Sequence, residues 1–188
     1  MSRVASRDTR PRADAALNRE AILVAALGAL TESGDASLNA IAKRAGVANA
    51  TLYRHFPTRE SLILAVYQLE VSQVVEAADL LLAERDPVDA LSDWVERLAQ
   101  YAMTKHGLAE ALRAATSLDP LFTETYDAIV GALSRLLLAA QDAGQIRRDL
   151  DPNDVILALA GLWEIDPRSD WRAQARRLFS IVFTGLRA

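Results

Sequence analysis

Four of the six prolines in this chain stand directly after an aspartate, at Asp86-Pro87, Asp119-Pro120, Asp151-Pro152 and Asp166-Pro167. An aspartate can accept hydrogen bonds from the free N–H groups that open a helix, and proline at the first helical position loses nothing, because its missing donor has no partner there anyway. Each pair therefore predicts a helix start. Pro57 precedes Thr58, whose hydroxyl can cap in the same way, with Glu60 well placed for the positive end of the dipole. Between these marks apolar residues recur at three- and four-residue spacing, as in Ile22, Ala26 and Leu30, or in Tyr126, Ile129, Leu133 and Leu136. No stretch alternates with period two and β-branched residues are sparse, so the chain reads as all-α. Gly34, Gly46, Gly107 and Gly144 fall where one helical pattern stops. About nine helices are expected, over 17–33, 38–45, 49–56, 58–84, 87–106, 108–115, 120–143, 152–164 and 167–186.

The 188 residues, 51% of them hydrophobic, suit one compact domain or a small domain fused to a medium one. With no cysteine, thiolate chemistry and cysteine-ligated zinc are excluded. Residues 1–16, with Arg3, Arg7, Arg10 and Arg12, read as a disordered basic arm without the apolar core of a signal peptide. No apolar run is long enough to span a membrane, so a cytoplasmic protein is expected. Charge is uneven: nine Lys and Arg stand against six Asp and Glu up to Glu60, and twelve against nineteen from Ser61 onward. The N-terminal end thus looks suited to an anionic partner. No Gly-rich phosphate loop, GxSxG, HExxH or histidine cluster is present, and no enzyme, metal or cofactor is expected.

The informative window is Ser37 to Leu62, SLNAIAKRAGVANATLYRHFPTRESL. Ala42 lies four residues before Gly46, and Leu52 ten residues after Ala42, which is the spacing of a helix-turn-helix. Ala42 is small where the second helix crosses, Gly46 can take the left-handed conformation that breaks the first helix, and Ile41, Val47 and Leu52 close a small core. The outward side of the second helix carries Asn49, Ala50, Thr51 and Tyr53, with Arg54 a further candidate. Such side chains can bond base edges, touch a thymine methyl or bind phosphate. Phe56 reads as core.

IAKRAGV followed by TLYRHFPTRESL resembles the DNA-binding domain of the TetR family of bacterial transcriptional regulators, over Leu17 to Tyr67. The resemblance implies a three-helix DNA-binding domain over 17–60, running into a long fourth helix, and a helical ligand-binding and dimerisation domain over 61–188. It implies that Asn39 reaches a phosphate or a base, that Asn49, Ala50 and Thr51 enter the major groove, and that Tyr53 and His55 bind the DNA backbone. Arg59, where the family most often has lysine, is implied to hold a phosphate. Ala48 departs from the family's usual capping serine; either Asn49 takes over the cap or its amide is free to read a base. The arm's arginines either stay solvated or reach the minor groove.

Beyond about Val71 the resemblance is of architecture alone. It implies a homodimer on a near-palindromic double-stranded operator, released by a small effector. The apolar residues of the last two helices, Leu159, Leu162, Trp171, Phe179, Val182 and Phe183, are the candidate dimer interface. Trp94, Tyr101, Met103, Phe122, Tyr126 and Trp163 are the candidate pocket lining, with plain core packing the competing explanation. Few charges fall on those faces, so a largely apolar effector is expected. The function expected is ligand-responsive repression; a helical module acting through protein partners is the competing reading, and rests on Ala48 alone.

Overall fold

The structure, a computed structural model, describes residues 9–32, 35–115 and 119–187. Its elements are α1 (Thr9–Glu32), α2 (Leu38–Ala45), α3 (Asn49–His55), α4 (Arg59–Glu84), α5 (Pro87–Ala115), α6 (Asp119–Asp142), α7 (Pro152–Ala158), a 3-10 helix (Leu159–Glu164) and α8 (Trp171–Leu186), with no strand among the described residues.

Most of the expected caps form. Asp151 accepts from the Asn153 N–H at 2.7 Å, Asp86 stands before Pro87 with its carboxylate 3.4 Å from the Val88 N–H, and Thr58 Oγ1 accepts from the Ser61 N–H at 3.1 Å. Gly46 (φ 70°) and Gly144 (φ 71°) are left-handed at the ends of α2 and α6, as a helix stop requires.

Four expectations change. Gly107 does not end a helix: 87–106 and 108–115 are one helix, α5, because a single interior glycine costs only about 1 kcal/mol and Leu108 and Leu112 beyond it are buried. Asp166-Pro167 opens a turn, in which the Ser169 N–H bonds the Asp166 carbonyl at 3.0 Å, and α8 starts later under Asp170, which accepts from the Ala173 N–H at 3.3 Å. The pair fits a β-turn as well as a helix cap, and the second cap downstream decides between them. The helix expected over 152–164 turns 3-10 from Leu159. Finally, α1 begins at Thr9, so Arg10 and Arg12 of the expected arm lie in a helix, while Arg3, Arg7 and Gly34 lie outside the described residues. Eight α-helices and one 3-10 helix replace the nine among the described residues.

The chain divides into two compact units, Met1–Tyr67 with Gly107–Thr116, and Gln68–His106 with Ser117–Ala188. The first boundary therefore falls within α4, seven residues past the expected one, and the end of α5 joins the N-terminal unit. In that unit Ile22, Ala26 and Leu30 of α1, Ile41 and Ala42 of α2, Leu52 of α3 and Leu62 and Val66 of α4 are at most 1% exposed. Each large aliphatic side chain so buried stabilises the fold by roughly 1.5–3 kcal/mol. In the second unit Leu91, Trp94 and Leu98 of α5, Leu133 and Leu136 of α6 and Leu159 and Leu162 of the 3-10 helix form the core, and the Trp94 indole donates to the Val74 carbonyl at 2.9 Å.

Two glycines separate conformation from space. Neither Gly46 nor Gly131 has an atom within 4 Å of an added Cβ, but only Gly46 is left-handed. Gly46→Ala is expected to destabilise the protein by about 1 kcal/mol, and Gly131→Ala, inside α6, to stabilise it by roughly 0.5–1 kcal/mol, both measured by urea unfolding.

Candidate nucleic-acid interface

The second and third helices are set by three local devices. Ser37 Oγ accepts from the Ala40 N–H at 3.2 Å and opens α2. Gly46 then reverses the chain, its N–H bonding the Lys43 carbonyl at 3.2 Å and the Val47 N–H bonding the Ala42 carbonyl at 3.0 Å. Ala48, extended at φ −67° and ψ 145°, leads into α3 with no side-chain cap. Asn49 is thus the first residue of α3 and Ala48 holds the capping position.

α3 has seven residues and spans about 10 Å, within the width of a DNA major groove at about 12 Å. Leu52 and the following Phe56 are buried, and the guanidinium of Arg19 lies 5.2 Å over the Phe56 ring. The other side of α3 is left open: Asn49, Ala50, Tyr53 and Arg54 are exposed and Thr51 and His55 half-buried, with Asn39 exposed on α2.

Two arginines are placed in ways the spacing alone did not state. Arg54 folds along α3, its Nε donating to the Ala50 carbonyl at 3.3 Å and its Nη2 to Thr51 Oγ1 at 3.0 Å. Thr51 and Arg54 thus form one polar unit on the open face; the signal was their three-residue separation, which puts them on one side of a helix. Arg59 is half-buried and donates to the Ala36 carbonyl, so its guanidinium ties the first turn of α4 to the residue before the Ser37 cap. Arg44, by contrast, is engaged with the Glu32 carboxylate at 2.7 and 2.9 Å. That bond holds the Glu32 carboxyl below its usual pKa, and Gly28 makes room for the guanidinium, since a Cβ there would lie 2.7 Å from Arg44 Nη2.

In the C-terminal unit the candidate residues part company. Trp94, Tyr101 and Met103 are buried, Trp163 is half-buried, and Tyr126 is exposed, its hydroxyl donating to Asn153 Oδ1 at 3.2 Å; the Phe122 side chain lies outside the described ones. The apolar interior holds a carboxyl that hydropathy reading missed: Glu70 of α4 is 8% exposed and hydrogen-bonds Thr104 of α5, and burial raises its pKa. Burial likewise lowers the pKa of the neighbouring Lys105. Of the candidate dimer residues, Leu159, Leu162 and Phe179 are buried within the single chain, while Trp171, Val182 and Phe183 are half-buried. On α7 and α8, among the described residues, the large apolar side chains left open are Leu157 and Ile181, 71% and 72% exposed. Among the described residues no helix is long and apolar enough to cross a membrane.

Residues 22–66 match the family model for bacterial regulatory proteins of the tetR family, and residues 86–188 match the model for the C-terminal domain of SbtR-like transcriptional regulators. A TetR transcriptional regulator from Streptomyces coelicolor is 43% identical over 90% of this chain and 98% of its own, with a TM-score of 0.81. A TetR transcription regulatory protein from Mycobacterium vanbaalenii is 35% identical over 94% of this chain and 99% of its own, with a TM-score of 0.78. A fatty acid degradation regulator from Bacillus halodurans, at 23% identity, 89% and 99% coverage and a TM-score of 0.64, shares the fold. No curated protein matches the chain.

The raised pKa of Glu70 has a sign that can be measured. Above the ordinary carboxyl pKa the folded chain holds a proton that the unfolded chain has lost, so this group's contribution to stability is fullest at acid pH and falls as pH rises through the folded pKa. Glu70→Gln removes that titration while keeping a polar partner for Thr104. The variant is expected to gain stability over the parent at pH 7.5 relative to pH 4.5 in urea unfolding.

Proposed function

Since the chain belongs to the TetR family of bacterial transcriptional regulators, whose DNA-binding fold it has, we propose that it is a ligand-responsive repressor acting as a homodimer on a near-palindromic operator. The observation that carries this reading is the open face of α3. Leu52 and Phe56 are buried on one side, and Asn49, Thr51 and Arg54 are left on the other with donors and acceptors suited to base edges. An asparagine amide suits adenine, an arginine fork suits guanine, and the Ala50 and Thr51 methyls suit thymine.

Tyr53, His55 and Asn39 are assigned to the DNA backbone, where they set register without reading sequence. Arg59 is assigned to a phosphate at the first turn of α4, where it also bonds the Ala36 carbonyl. Two copies of the reading helix serve the two half-sites of a twofold operator. The dimer face is assigned to the exposed Leu157 and Ile181 in place of the buried Leu159, Leu162 and Phe179.

The effector is placed in the C-terminal unit near Trp94, Tyr101 and Met103. Glu70 and Thr104 add a polar anchor, which gives the largely apolar effector a hydrogen-bonding group. α4 is one unbroken helix from Arg59 to Glu84, with Glu70 along it, so displacing it at the effector end moves the residue that holds Ala36. A tenfold loss of operator affinity requires about 1.4 kcal/mol of coupling. The place of action is the cytoplasm, where the DNA is.

The test is selection of genome fragments by the purified protein at about 0.15 M salt. A recovered near-palindrome supports the reading; a folded dimer that selects no site, with or without bound small molecules removed, overturns it. On the recovered operator, Tyr53→Phe is expected to weaken all operator variants about equally, by about 1 kcal/mol, with an unchanged salt slope because no cation is lost. Thr51→Ala and Arg54→Ala are expected to reorder the variants; a uniform loss, with the slope reduced by about one for Arg54, makes them backbone contacts. Ile181→Glu is expected to give a folded monomer by sedimentation, with operator affinity reduced at least tenfold.

A further inference from the structure

α8 packs against α5 along a seam that holds two grooves of opposite character. The first, about 420 Å³, is lined by Arg85, Arg97, Arg172 and Arg176 against Glu84, Asp93 and Glu96, over a floor that includes Leu81, Ala99 and Ala175. The second, about 270 Å³, is lined by Val95, Phe179 and Phe183, with Ser92 and Ser180 at its margin. Glu96, Ala175 and Arg176 line both, so the two grooves adjoin. A trough with a cationic end and an apolar end has the polarity of a single-chain amphiphile.

The cationic end is built to exchange partners. Its two ion pairs are long, Arg85 to Asp93 at 3.5 Å and Arg176 to Glu96 at 3.9 Å, against about 2.7–2.9 Å for a tight charge-assisted bond. Arg172 is held by uncharged groups among the described residues: its guanidinium lies 4.2 Å over the Trp171 ring and donates to the neutral Gln100 Oε1 at 3.1 Å. A carboxylate entering there meets a preset guanidinium fork and can displace Glu96 from Arg176. The apolar end offers two rings, Phe179 and Phe183, with centroids 5.4 Å apart, along which an alkyl chain can lie.

We propose that this α5–α8 trough binds a single-chain anionic amphiphile, its head on Arg172 and Arg176 and its tail along Phe179 and Phe183. It is a second site, separate from the buried residues around Trp94 and Glu70. It does not depend on the chain's being a repressor.

The experiment is calorimetric titration of the full chain with decanoate, below its micelle concentration, with acetate and decyltrimethylammonium as head-only and cationic controls. Decanoate is expected to saturate at one per chain, and neither control to bind. The double variant Arg172→Gln/Arg176→Gln is expected to weaken decanoate at least tenfold while melting like the parent, and Arg177→Gln, at an exposed position outside the trough, to leave it unchanged. Decanoate binding that survives the double variant, or that decyltrimethylammonium matches, overturns the proposal. So does a sedimentation result in which decanoate dissociates a dimer of the chain, because a second copy then occupies the trough.

Discussion

A helix of seven residues cannot hold itself together in water, and α3 is that short. Its stability is borrowed from Leu52 and Phe56, buried against the other helices of the N-terminal unit, and from the reversal at Gly46 that delivers the chain at the right angle. Because the buried residues do this holding, the outward residues are released from any structural duty. Ala48 fits the same economy: the cap it lacks is worth about 1 kcal/mol, and tertiary burial of Leu52 alone contributes more. The open face of α3 can therefore be polar and exposed without endangering the fold that presents it.

The same reasoning separates what was legible in the residues from what was not. The left-handed Gly46, the small Ala42 and the buried Leu52 and Phe56 could be read because each answers a local steric or hydrophobic demand that few other residues meet. Asp166-Pro167 was misread because one dipeptide serves a turn and a helix cap alike, and only Asp170 four residues later decides. Gly107 was misread for the opposite reason: an intrinsic penalty of about 1 kcal/mol was outweighed by burial of residues on either side, which local spacing does not reveal. The pairing of Arg59 with the Ala36 carbonyl lies twenty-three positions apart and has no periodic trace at all.

Glu70 shows how charge inside the C-terminal unit escapes a pattern-based reading. Its neighbours on α4 keep the apolar spacing, so one carboxyl in the run looks like a solvated flank, yet it is buried and bonded to Thr104. A buried acid carries a desolvation cost that an apolar residue does not. The chain bears that cost on the helix whose first turn also holds the Ala36 carbonyl through Arg59.

α8 shows why hydrophobicity alone does not tell which apolar residues the chain itself covers. Its apolar side chains serve several surfaces: Ala175 and Phe179 are buried while also lining the seam with α5, Phe183 is half-buried at that seam, and Ile181 is left in solvent. A helix wheel distinguishes such directions, but not which of them another part of the same chain already covers. Burial within the chain removes Phe179 from the candidates for a partner, just as it removes Leu159 and Leu162 of the 3-10 helix. With the core side filled, Ile181 and Leu157 leave apolar area in water, while the seam with α5 sets the Phe179 and Phe183 rings beside arginines, a pairing that suits a molecule charged at one end.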